Sequence, residues 1–253
     1  MPCPSSTPAK PEGPEACPLA VLTPGQVVRL WLHSALLPFT LGSLLGILCY
    51  VAAGNTLGFY LGPLAMITLV GPPLLLAESH WLNRLFVADG LVFATALVWL
   101  AGLFHPSLVF LDWLRCCLIL GAYTSALLAL AVFLHRLRLP PLAASTISVI
   151  FALAWLTWPI WLAPWLTGDG RERLVAALIA PHPLFALNAL LTPAFPVPWA
   201  QYRIAYALTN IGDDIPYEMP ASIVPCLLLH VLLAAALLLL SWRPPQQQAT
   251  RNR

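Results

Sequence analysis

The stretch LVAALIAPHPLFALNALLTPAF, residues 174–195, holds no charged residue and is apolar enough to enter a bilayer. Pro181, Pro183 and Pro193 interrupt it where a spanning helix would have to be continuous. Proline has no backbone N–H and its ring clashes with the carbonyl four residues earlier. The sequence therefore predicts two short helices, Leu174–Ala180 and Leu184–Leu191, around a break at Pro181-His182-Pro183. Such a pair dips into one leaflet or lies on it without crossing. Broken backbone at membrane depth needs surrounding protein or a water-filled cavity, so the break is expected to pack against other helices. An interfacial hairpin that only anchors the chain is the simpler alternative.

The rest of the chain sets this stretch among spanning segments. Of 253 residues, 60% are hydrophobic and 9% charged, against about 25% charge in a soluble domain. Mean hydropathy is +0.82, which with long uncharged runs marks a polytopic helical membrane protein. A hydrocarbon core takes about 20 apolar residues in a helix. Six segments meet that length: roughly 34–53, 57–77, 88–104, 116–134, 142–166 and 223–242. The membrane domain is expected over 25–243, between Pro-rich or polar tails at 1–24 and 244–253 that are expected to be disordered and cytoplasmic. No signal peptide is read in the first tail.

Basic residues favour the cytoplasmic side. With six alternating crossings and a cytoplasmic N-terminus, eight Lys and Arg fall inside and four outside; four acidic residues fall inside and six outside. A seventh crossing at 174–191 would carry Arg243, Arg251 and Arg253 outward. Both termini are therefore placed in the cytoplasm, in a plasma or inner membrane.

Two surface elements are expected on the inner side. One is an amphipathic helix over 25–33, leading into the first span. The other is a short loop helix over 78–90, ESHWLNRLFVADG. Gly42 and Gly46, Gly58 and Gly62, and Gly121 and Ser125 give small-residue spacings that let helices approach closely. Trp155 stands further in, and Trp158, Trp161 and Trp165 read as an interfacial belt, with a stacking site for a ligand as the alternative.

Chemistry is sparse. The outer segment 167–221 gathers His182, Asn188, Arg203, Asp213, Asp214 and Glu218. A His with carboxylates could ligate metal or serve as acid and base. The spacing matches no local metal or catalytic motif, and a turn at Asp213-Asp214 is the plainer reading. No catalytic residue and no metal ligand is assigned. His230 is the clear ionisable residue within a span, a functional candidate by that fact. Six cysteines form no CxxC pair. A net charge of +2 gives no reason to expect nucleic acid. A P-loop needs GxxxxGK[ST], and the single lysine, Lys10, lies in the N-terminal tail.

This layout resembles the membrane subunits of ATP-binding-cassette exporters, the type-two permease class. The resemblance is architectural and covers nearly the whole chain: an amphipathic helix at 25–33, six spans, an inner loop helix at 78–90, and a helical hairpin at 174–191 before the last span. It implies a permease that dimerises with itself or a sister chain, docks a separate ATPase that binds the ATP, and needs no cofactor of its own. Docking would fall on Glu78, Trp81, Arg84 and Phe86. The path would run between two copies, with Ser145, Thr146, Ser148 and His230 as candidate lining. The proline-rich segment 192–220 departs from that plan. The rival readings are a non-transporting integral subunit or scaffold of a membrane complex, and a membrane-embedded enzyme using His182, Asp213 and Asp214.

Overall fold

The computed structural model describes residues 24–53, 56–100, 109–166, 170–191 and 220–241. Within them every regular element is an α-helix: α1 Pro24–Ala53, α2 Thr56–Ala77, α3 Trp81–Leu100, α4 Phe110–Arg136, α5 Pro141–Leu166, α6 Glu172–Ile179, α7 Pro183–Leu191 and α8 Val224–Ser241. Proline opens α1, α5 and α7. There its missing N–H is one the helix could not have bonded, and its fixed φ suits the first turn.

Five of these helices are long and apolar enough to cross a bilayer: α1, α3, α4, α5 and α8. In α2 the stretch Gly62–Ala77 is apolar but shorter, and α6 with α7 passes the same test only as a pair bent by 81°. Counting that pair as one span gives up to six. The chain is an integral membrane protein with multiple helical spans.

Pairings between helices give their directions. Trp31 meets Asp89, and Cβ atoms added at Gly90 and Gly42 would touch Ala35 and Ala94, so α1 and α3 run the same way. Thr68 meets Tyr123, and Leu75 shares a core with Leu128 and Val132, so α2 parallels α4. Tyr123 faces His230, and Arg115 lines one cavity with Val224, so α4 parallels α8. Ala131 packs with Ala144, which sets α5 opposite α4. The short links 78–80 and 137–140 thus lie at one end of the bundle, and the α6–α7 pair lies toward the other.

The largest apolar core joins α2, α4, α5, α7 and α8 through Leu64, Ile119, Leu120, Leu156, Leu187 and Cys226. A second holds α6 and α7 to α5: Trp158, Leu166, Val175, Ile179 and Phe185. The α1–α3 seam is made by small residues. A Cβ on Gly90 would stand 2.9 Å from the Ala35 Cβ, and one on Gly42 would stand 3.1 Å from the Ala94 Cβ. Gly42 thus takes the close-approach role its spacing suggested. Gly121 does not, since a Cβ there meets nothing within 4 Å.

Residues 25–33 continue without a break into the first span as the beginning of α1. Likewise residues 81–90 are the first half of α3. Trp31 Nε1 donates to Asp89 Oδ2 at 2.7 Å and ties these two helix beginnings together.

Candidate functional site

Proline shapes the middle of α5. Pro159 follows Trp155 by four positions, so the Trp155 carbonyl loses the N–H that a regular helix would offer it. The histidine in the break between α6 and α7 supplies the replacement. His182 Nε2 lies 3.0 Å from that carbonyl oxygen. Only an N–H can face a carbonyl there, so Nε2 carries the proton and Nδ1 is left as a lone-pair acceptor.

The break is built to hold that ring. Pro181 and Pro183 cannot donate, and α6 stops at Ile179. His182 N donates to Ile179 O, and Ala186 N donates to His182 O, both at 3.0 Å. The histidine backbone therefore ends one helix and starts the next while its side chain points at α5. Trp155 stands eleven residues before Leu166, the end of α5. At about 1.5 Å per residue that is roughly 16 Å, about half of a ~30 Å hydrocarbon core.

His182 is 0% exposed. Its ring centroid lies 5.3 Å from Trp155, 5.9 Å from Trp158 and 5.1 Å from Phe185. Trp155 also reaches His230 at 6.4 Å, and His230 reaches Tyr123 at 5.6 Å. The His230 Nδ1–H donates to Cys226 O at 2.7 Å, within its own helix. Thr68 Oγ1 donates to Leu64 O, so it accepts from the Tyr123 hydroxyl. A buried column of polar and aromatic groups therefore runs from α2 through α4, α8 and α5 to the α6–α7 break.

Three buried atoms around His182 have no hydrogen-bond partner among the described residues: His182 Nδ1, Trp155 Nε1 and Trp158 Nε1. A cavity of about 170 Å³ lies beside the histidine, lined by His182 and Asn188 and otherwise mainly by apolar side chains of α2, α5 and α7; Trp155 and Trp158 are not part of its lining.

No family model, curated protein or solved structure matches this chain. The functional reading therefore rests on the geometry of its own residues.

The residues singled out in the sequence scatter. His182 and Asn188 are buried together at the cavity, whereas Arg203, Asp213, Asp214 and Glu218 lie outside the described residues. Among the described residues no group of three His, Cys, Asp or Glu side chains could hold a metal ion. Ser145 and Thr146 both donate to Leu142 O, and Ser148 donates to Ala144 O. Ser145 and Ser148 are buried and Thr146 is exposed, so the three do not share a face. At the opposite end, Asn83 Nδ2 donates to Glu78 Oε2 at 2.9 Å and Arg84 Nε to Glu78 O at 2.8 Å. Trp81 is exposed beside them and Phe86 half-buried.

The tryptophan belt needs a correction. Trp165 is 73% exposed and Trp161 is exposed too, as an interfacial ring should be, but Trp158 is 2% exposed. It belongs to the interior because the α6–α7 pair covers its face of α5. Trp155 and Trp158 were legible only as a stacking alternative to the belt, and Thr68 and Tyr123 not at all. The signal that could have found the first was Pro159, four residues on, which announces a carbonyl in need of a donor.

Proposed function

We propose that this chain is the membrane-spanning permease subunit of an ABC-type exporter, paired with itself or a sister chain and driven by a separate ATPase. The observation that carries this reading is the α6–α7 pair, bent by 81° and set between α5 and α8. Helices of eight and nine residues are about 12 and 14 Å long, each less than half of a ~30 Å core. On this reading α1 to α5 and α8 make six crossings, and the pair enters and leaves on one side. The positive-inside rule then puts both termini in the cytoplasm.

The α2–α3 link supports the docking role. It lies at the end away from α6–α7, and its shape is fixed by the bonds from Asn83 and Arg84 to Glu78. Trp81, Leu82 and Leu85 are exposed next to it. An ordered turn with apolar side chains around it gives a partner something rigid to push.

A non-transporting integral subunit is the second reading. Ser145 and Ser148 favour it, because their hydroxyls close on their own helix instead of turning toward a path. Purification of the tagged chain in mild detergent separates the two. Stoichiometric recovery of a P-loop ATPase is expected. Recovery of a stable assembly with no nucleotide-binding chain would overturn the permease reading.

A further inference from the structure

We propose that Arg84 of α3, with Arg136 and Arg138 at the α4–α5 turn, holds the phosphate of an anionic phospholipid whose chains lie on the apolar side chains beside them. Three observations lead there.

The first is the placement of the arginines. Val87 of α3 and Val132 of α4 share one core with Leu75 of α2. Arg84 stands three positions before Val87, and Arg136 four positions after Val132. Residues three and four apart share a helix face. α3 begins at this end of the bundle and α4 finishes there. Each arginine therefore lies one turn, about 5 Å, nearer the end than that core, on the face turned toward it. Arg136 accordingly repels Arg84, and the Glu78 carboxylate attracts it.

The second is a shortage of acceptors. Of the two carboxylates nearby, Glu78 accepts from Asn83 and Asp89 accepts from Trp31. Arg84 spends only its Nε–H, on Glu78 O. Among the described residues the ion pair is Arg115–Asp112, at the opposite end, and none of these three arginines has one. The last carbonyls of α4 are taken by backbone donors, Leu137 N and Arg138 N. Arg138 holds a φ of 70°, the left-handed conformation that glycine usually takes just past a helix end; a cation stands there instead. A guanidinium is a planar fork of N–H donors that matches phosphate oxygens.

The third is what surrounds the charge. Arg136 and Arg138 are exposed, and so are Leu137 between them, Trp81 and, at 79%, Leu142. Leu142 opens a helix long and apolar enough to span a bilayer, so it stands where hydrocarbon gives way to headgroups. A soluble anion has no use for that apolar surface. A phospholipid of the leaflet at this end brings phosphate and chains together. The site needs a bilayer and nothing from an ATPase, so it stands or falls apart from the permease reading.

The test is native mass spectrometry of the full-length protein in detergent, titrated with phosphatidylglycerol or with phosphatidylcholine of the same chains. The first phosphatidylglycerol should bind about 25-fold more tightly, about fivefold for each exposed arginine near an anionic lipid. Arg136→Gln with Arg138→Gln, two changes on the exposed surface, should bring the two lipids within about twofold of each other. Arg29→Gln removes an exposed arginine of α1 outside the site and should leave the preference intact. Glycerol phosphate, the same headgroup without chains, should displace the lipid only at far higher concentration. Equal binding of the two lipids would overturn the proposal, as would an equal loss in Arg29→Gln. Displacement by glycerol phosphate at matched concentration would give the site to a soluble anion and overturn it too. So would an unchanged lipid preference in the double variant together with weaker recovery of a copurifying protein, which would assign the arginines to an acidic protein surface.

Discussion

His182 Nε2 stands 3.0 Å from the carbonyl oxygen of Trp155, the carbonyl that Pro159 deprives of its helical partner. A proline in one helix and a proline-flanked break in another are thereby parts of one device. The first frees an acceptor at depth; the second delivers a donor to it. This coupling can be measured. His182→Phe keeps an aromatic ring but removes the N–H, and should cost about 1–3 kcal/mol by leaving a buried carbonyl unbonded. Pro159→Ala restores a backbone N–H to the same carbonyl. In that background His182→Phe should cost less, by about 1 kcal/mol. Denaturation of all four proteins of the cycle in detergent gives the coupling. Equal costs in the two backgrounds would mean that the bond contributes nothing.

The α1–α3 seam gives a second prediction. Gly90 has the Ala35 Cβ, carbonyl oxygen and Cα all within 2.9–3.1 Å of where its own Cβ would lie. Backbone atoms cannot rotate away, so Gly90→Ala must push the helices apart, at about 1–3 kcal/mol. Gly121→Ala is the control. It meets no atom within 4 Å and removes a flexible residue from the interior of α4, so stability should hold or rise by a few tenths of a kcal/mol, up to about 1. Thermal stability of the two variants in one detergent decides. A Gly90→Ala protein as stable as the parent would show that the seam is not close-packed.

What could be read from the sequence follows from how local each cause is. Apolar length is local, so the helices at 116–134, 142–166 and 223–242 were visible, as were two short helices around Pro181-His182-Pro183. Proline punctuation was enough to place that break, because a missing N–H acts on its own helix. The beginnings of α1 and α3 were not legible as they are. Residues 25–33 and 78–90 carry polar groups that suggest separate surface helices, yet α1 runs on through Pro38 and α3 through Gly90 into the spans that follow. The Trp31–Asp89 bond pairs residues 58 positions apart, and nothing in either neighbourhood announces it. The His182 site was hidden for the same reason. A histidine beside prolines looks like a loop residue until the Trp155 carbonyl, 27 positions away, is set against it.

Tyr123 and Thr68 allow a third test. The Thr68 hydroxyl spends its proton on Leu64 O, so the proton between it and Tyr123 comes from the phenol. Tyr123→Phe removes that donor alone, with little change in shape. Side-chain hydrogen bonds between membrane helices average about 0.6 kcal/mol, and a loss of that order is expected. Thr68→Val should cost a similar amount, and the double variant less than the sum. Strict additivity would show that the two hydroxyls do not share a bond.

The α2–α3 link carries the prediction on which the permease proposal most directly turns. Arg84 donates to Glu78 O through Nε and sits beside the exposed Trp81. If this turn receives an ATPase, Arg84→Glu both removes the donor that braces the turn and reverses its charge. Recovery of the ATPase in a mild-detergent pull-down should fall severalfold while the yield of the chain itself holds. Trp81→Ala, which leaves the bonds to Glu78 intact, should lower recovery by loss of apolar contact alone. Arg84→Ala separates bracing from charge: if recovery falls as far as in Arg84→Glu, the brace is what matters, and if it falls less, the partner surface is acidic near this position. Unchanged recovery in both Arg84→Glu and Trp81→Ala would move docking off this link, and an ATPase that still copurified would have to hold the chain elsewhere.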